Sequence, residues 1–153
     1  MRKDERKWMV RLAYFTPCIG IAIGGAYLLI EKFFGLSLVF VNAQGVATIV
    51  AGFSFTMLGF LAAIAAFMFS LQKYIFFRRW INDGGADVFF VLYRVAIICL
   101  FVTFSLSLIV FTKVGSSLAF KLMLMFALNN VIQTMILALV ISGKVALAKK
   151  EDS

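Results

Sequence analysis

The sequence is poor in the residues that aqueous chemistry requires. Histidine is absent, proline occurs once, and charged residues make up only 14% of the 153 residues, against about 25% in soluble domains. The seven acidic residues all flank apolar stretches or lie in turns between them. Without a cluster of metal ligands, a phosphate-binding glycine loop or a serine with a neighbouring base, the sequence predicts no catalytic, cofactor or metal site. A soluble enzyme is excluded.

Cysteine is also scarce. Cys18 and Cys99 are far apart in the chain and each lies within an apolar run, where a thiol behaves as a small buried hydrophobic side chain. Two isolated cysteines form neither a metal-binding nor a redox spacing. Both are therefore interpreted as structural.

Hydrophobic residues, in contrast, account for 63% of the chain, and mean hydropathy is +1.03. Four apolar stretches, 9–30, 46–71, 88–112 and 118–141, each reach the ~20 residues needed to cross a bilayer as a helix. None alternates in polarity as a barrel strand does. We predict one all-α domain over residues 1–153, a bundle of four transmembrane helices at about 9–30, 46–77, 88–112 and 118–145.

The basic residues are distributed unevenly around these spans. All but Lys32, Lys113 and Lys121 of the 15 Lys and Arg residues fall in the N-terminal tail, the segment 72–94 and the C-terminal end. Because basic flanks are retained on the cytoplasmic side, both termini are expected there. The net charge of +8 is thus explained by topology, and no direct nucleic-acid binding is expected. A bacterial inner membrane is the simplest location.

Small residues recur at helix-packing intervals in two spans. In the second span Gly45, Gly52, Gly59 and Ala66 repeat every seven residues, with an aromatic residue following each from Phe53 onward. The first span contains a GxxxG pair, Gly20 and Gly24. Small residues let membrane helices approach closely, so both patterns predict helix packing, either within the fold or between copies in a homo-oligomer.

Polar side chains concentrate in the middle of the fourth span, at Asn129, Asn130, Gln133 and Thr134. Amides are costly against lipid, so they are expected to face other helices or water. One interpretation is a set of hydrogen bonds between helices. The alternative is a ring of amides lining a pore or a polar cavity at an oligomer axis.

The predicted cytoplasmic connection mixes cations with aromatic residues, including Tyr74, Arg78, Arg79 and Trp80. One interpretation is an interfacial girdle in which arginine reaches anionic lipid phosphates. The other is a docking surface for a cytoplasmic protein partner. The second span is expected to continue past the bilayer here, to about residue 77.

In the second span, a run from Gly52 to Ile64 is followed by Ser70 and Leu71, and the three other spans have basic ends. This arrangement resembles small four-span subunits of bacterial anti-phage systems, in particular the Kiwa membrane subunit. The resemblance implies an inner-membrane homo-oligomer that senses envelope disturbance and holds a soluble effector. The expected function is accordingly a non-enzymatic sensor or scaffold that recruits a cytoplasmic effector. The alternative is an oligomeric ion channel or a holin-like, membrane-permeabilising pore.

Overall fold

A computed structural model describes residues 11, 14–16, 18–20, 22–26, 29–30, 33, 42–112 and 116–151. Within them the chain forms helices α1 (Ala43–Ser70), α2 (Ile75–Asn82), α3 (Gly85–Val110) and α4 (Ser116–Glu151), and a short 3-10 turn at Leu71–Lys73. Helical residues also occur between Tyr14 and Ala26, here called the N-terminal segment. No strand occurs among the described residues.

Three helices are long and apolar enough to cross a membrane, at Ala43–Lys73, Ala86–Val110 and Ser117–Gly143. The chain is therefore a helical membrane protein. The predicted first span, 9–30, and the connection after it lie partly outside the described residues. The N-terminal segment within it is a shorter apolar helix.

Helix α3 lies between α1 and α4 and packs extensively against both, whereas α1 and α4 touch little. The neighbouring position of α3 and α4 follows from the few residues that separate Val110 from Ser116, since a short connection keeps consecutive helices adjacent. The buried residues of α1 are Ala47, Ser54, Leu61 and Met68. Their seven-residue spacing marks the side of α1 that faces α3 and is typical of left-handed helix packing.

Helix α1 ends earlier than the sequence predicts. The expected helix to residue 77 stops at Ser70, and Tyr74 is extended, with φ −87° and ψ 140°. The chain then starts the separate helix α2, which places Phe77 in the core at 3% exposure. Burial of this aromatic side chain against α3 explains why the run of aromatic residues does not simply prolong α1 into solvent.

Helices begin at identifiable signals. Asn42 caps α1 because its Oδ1 accepts the backbone N–H of Gly45 at 2.8 Å, which satisfies one of the free donors of the first turn. Gly84, between α2 and α3, has φ 75°, a left-handed conformation that glycine adopts without steric cost. It permits the sharp turn that lays α2 against α3.

Candidate functional site

Six polar residues are buried among the described helices, and α1, α3 and α4 each contribute at least one. We call this set the polar layer; it consists of Ser54 of α1, Thr103 and Ser107 of α3, and Asn129, Asn130 and Gln133 of α4. All three amide side chains are at most 2% exposed. The sequence predicts that the amides face other helices or water, and the structure buries them among the helices. Ser54 is not recognisable in the sequence because one serine in an apolar helix gives no periodic signal.

Apolar clusters lie on both sides of the polar layer. One contains Leu61, Phe89, Leu100 and Leu137 among others, and the second contains Ala47, Val110, Ala119 and Met123. Along each of α1, α3 and α4 the order is the same, with the polar residues between members of the two clusters. The polar layer is thus enclosed by hydrophobic packing at both ends.

Asn130 connects α4 to α3 through the polar layer. Its Nδ2 donates to Thr103 Oγ1 at 2.7 Å and to the carbonyl oxygen of Cys99 at 3.4 Å. The Thr103 hydroxyl donates to the same Cys99 carbonyl at 2.8 Å. Thr134 is half-buried and donates to the Asn130 carbonyl of its own helix. Of the predicted polar face, Asn130 therefore bonds to α3, while Thr134 satisfies its own helix backbone.

Asn129 and Gln133 face the N-terminal segment instead. A Cβ added at Gly20 would overlap the Cβ of Asn129 and lie 2.8 Å from its Oδ1, and one added at Gly24 would overlap Met125. Gln133 Nε2 donates to Thr16 Oγ1 at 3.3 Å. Thr16, Gly20 and Gly24, spaced four apart, thus meet Gln133, Asn129 and Met125, also spaced four apart. The N-terminal segment and α4 are therefore antiparallel. The GxxxG pair is placed at a close approach within one chain.

Five polar atoms in the polar layer are buried without a hydrogen-bond partner among the described residues. They are Ser54 Oγ, both amide atoms of Asn129, Asn130 Oδ1 and Gln133 Oε1. An unpaired buried polar group costs about 1–3 kcal/mol. The polar layer is consequently the least satisfied part of the core, and Asn129 is its least satisfied residue.

The glycine stripe of α1 lies on the opposite side of the helix from the buried stripe. Gly52, Gly59 and Ala66 are exposed, and a Cβ added at either glycine meets nothing within 4 Å. Among the described residues the stripe therefore packs against no other helix, so its predicted role in packing the fold finds no contact there. The reason is the buried heptad of Ala47, Ser54, Leu61 and Met68, which turns the glycines outward.

Helix α2 and Tyr74, the residue before it, carry the aromatic and cationic residues of the predicted connection. Trp80 is half-buried, with its ring centroid 5.5 Å from that of Phe77 and 6.0 Å from that of Phe89 in α3. Arg78 and Arg79 are exposed, and Tyr74 is 44% exposed. Of the four residues, Trp80 thus contacts the core, and the other three lie on the exposed surface.

The two cysteines differ in environment. Cys99 is buried beside Gln133, whereas Cys18 is exposed. Cys18 points away from α4 because Gly20, two residues on, faces that helix, and a two-residue step rotates a helical side chain by about 200°. The interpretation of both cysteines as structural stays a prediction. No group of three or more potential metal ligands occurs among the described residues.

Comparison with known proteins finds no matching family model, no matching curated protein and no matching solved structure.

Proposed function

We propose that this chain is a non-enzymatic membrane scaffold that self-associates and recruits a cytoplasmic effector. The observation that carries the proposal is the outward position of Gly52, Gly59 and Ala66, which leaves a smooth helix surface without a packing partner among the described residues. Small residues at such a surface permit close contact with a helix of a second copy. The basic tails on the predicted cytoplasmic side are the proposed contacts for the effector.

The proposed setting is a bacterial inner membrane, with both termini in the cytoplasm and four spans in total. The resemblance of the second predicted span to membrane subunits of anti-phage systems is the support for a role in antiviral defence. In this proposal the chain senses a disturbance of the envelope, and the soluble partner supplies the activity.

The experiment begins with the protein purified from its native membrane together with the products of neighbouring genes. Native mass spectrometry should give a homo-oligomer with a stoichiometric soluble chain. Gly52→Leu and Gly59→Leu together should give a folded monomer, because neither added side chain meets another described residue of the chain. Gly143→Leu in α4 is the matched control, since that glycine also faces open space; it should leave the oligomer intact. A monomeric wild-type protein would refute self-association.

An ion channel is the second candidate, and the unpartnered atoms of the polar layer favour it. Amide oxygens in mid-membrane are suited to a water-filled path, although the apolar clusters close both ends of the layer in this conformation. Asn129→Leu should then abolish ion flux through vesicles containing the protein without changing its oligomeric state. Wild-type protein that conducts no ions in the assay would leave the scaffold as the better proposal.

A further inference from the structure

Helix α2 starts five residues after α1 ends, directly after the apolar span Ala43–Lys73. The 28 residues of α1 extend about 42 Å at 1.5 Å per residue, which exceeds the ~30 Å thickness of the hydrocarbon core. The apolar span itself ends at Lys73. With the apolar span ending at Lys73, we place residues 74–82 at the depth of the lipid headgroups.

One side of α2 is fixed to the bundle. Phe77 is 3% exposed and belongs to the apolar cluster around Phe89, and Trp80 packs with its ring near both of these residues. This contact decides which side chains of α2 remain open, because a helix held at two positions one turn apart cannot rotate freely.

The open side combines cations with apolar side chains. Arg78 and Arg79 are exposed, and beside them Ile75 is 73% and Ile81 40% exposed. Charged and large aliphatic residues exposed together are typical of helices that lie in a membrane interface. A surface that faces bulk water gains nothing from an exposed isoleucine, whereas a bilayer interface accommodates both types of side chain.

Positive charge is concentrated at this end of the bundle. Lys73 lies 5.3 Å from the centroid of the Tyr74 ring, and Arg78 Nε donates to the carbonyl oxygen of Gln72 at 3.2 Å, which holds the Arg78 side chain against the turn. The acidic residues nearest in sequence are the exposed Asp83 and the half-buried Asp87. Three cations thus precede the first carboxylate.

We propose that α2 and the turn before it bind anionic phospholipids of the adjacent leaflet, with Arg78 and Arg79 contacting the phosphates and Ile75 and Ile81 the upper acyl chains. A guanidinium matches phosphate geometry. The exposed isoleucines favour a lipid over free phosphate, because a lipid has acyl chains that can cover them and free phosphate has none. This proposal does not depend on self-association or on an effector.

Trp80 provides a local reporter. The chain contains two tryptophans, so Trp8→Phe leaves Trp80 as the only one. This variant is reconstituted in phosphatidylcholine vesicles that contain either brominated phosphatidylglycerol or an equal amount of brominated phosphatidylcholine. Because bromine quenches tryptophan at short range, the anionic lipid should quench Trp80 more strongly. Equal quenching by the two lipids, or none, overturns the proposal, the latter because another partner would then cover α2.

Charge variants in the same background test the two arginines. Arg78→Gln with Arg79→Gln should lower the preference for the anionic lipid by about fivefold per arginine, and lysine at both positions should retain most of it. The matched control is Arg11→Gln with Arg94→Gln, which removes two exposed arginines outside α2 and should leave the preference nearly unchanged. An equal loss in this control would show that net charge, and not α2, attracts the lipid.

Discussion

The Nδ2 atom of Asn130 in α4 lies 2.7 Å from the Oγ1 atom of Thr103 in α3, inside the membrane-spanning part of the bundle. This is a direct side-chain hydrogen bond between the two most closely packed helices. Both residues are at most 1% exposed, so neither has water as an alternative partner. The pair therefore fixes the relative height of α3 and α4.

We expect Asn130→Ala and Thr103→Val each to destabilise the bundle, with a coupling energy of about 0.6–2 kcal/mol in a double-mutant cycle. The measurement is reversible unfolding in detergent micelles. Ser105→Ala is the control, because Ser105 is exposed and its hydroxyl bonds only to the Phe101 carbonyl of its own helix. Strictly additive effects of Asn130→Ala and Thr103→Val would mean that the hydrogen bond contributes nothing.

The contact between the N-terminal segment and α4 gives a graded prediction for three glycines. Gly20→Ala should destabilise most, by about 1–3 kcal/mol, since the new methyl group overlaps the Cβ of Asn129. Gly24→Ala should cost less because Met125 is a flexible side chain that can move. Gly25→Ala should be neutral or slightly stabilising, as no described residue lies within 4 Å of the added methyl group.

Thermal unfolding of the three variants in the same detergent gives the order. If Gly25→Ala proved as destabilising as Gly20→Ala, the segment would have to pack on α4 through a different side.

Tyr93 makes a second connection between helices, because its hydroxyl donates to the Leu61 carbonyl of α1 at 3.1 Å. Tyr93→Phe removes this bond and keeps the ring that stacks 6.1 Å from Phe89. The expected loss is about 0.5–1 kcal/mol, measured by unfolding. Tyr14→Phe, at a tyrosine that is 54% exposed, serves as the reference and should have little effect.

The attachment of α2 depends on Phe77. Phe77→Ala should cost about 3 kcal/mol, since it empties a buried aromatic position, and should expose Trp80, which shifts its fluorescence to longer wavelength. Ile75→Ala should leave stability within about 0.5 kcal/mol because that side chain is 73% exposed. An unchanged Trp80 spectrum in Phe77→Ala would contradict the proposed attachment.

The sequence was sufficient for the parts of the fold that depend on apolar length. The three described spans begin within three residues of the predicted positions. Each is an uninterrupted run of apolar residues, and the prediction relied on the length of such runs. The separate helix α2 was not predicted, because its start requires an extended residue at Tyr74, and that conformation is imposed by the burial of Phe77 in tertiary packing.

The direction of each polar or small side chain was less predictable. On α1 two stripes repeat every seven residues on opposite sides, so periodicity cannot tell which one is buried; the structure buries the stripe with Ser54. Asn129 and Asn130 are neighbours in sequence, yet one contacts the N-terminal segment and the other α3. Only the arrangement of the helices around α4 separates their roles.

Because the polar layer lies between two apolar clusters, a water path through the bundle would have to cross two separate apolar barriers. Water that entered past Leu100 and Leu137 would still meet Val110 and Met123 before it crossed. Smaller side chains in one cluster alone should therefore leave vesicles ion-tight, and leakage should require such changes in both. The bundle can thus contain buried amides, and if one apolar cluster is opened, the other still blocks water.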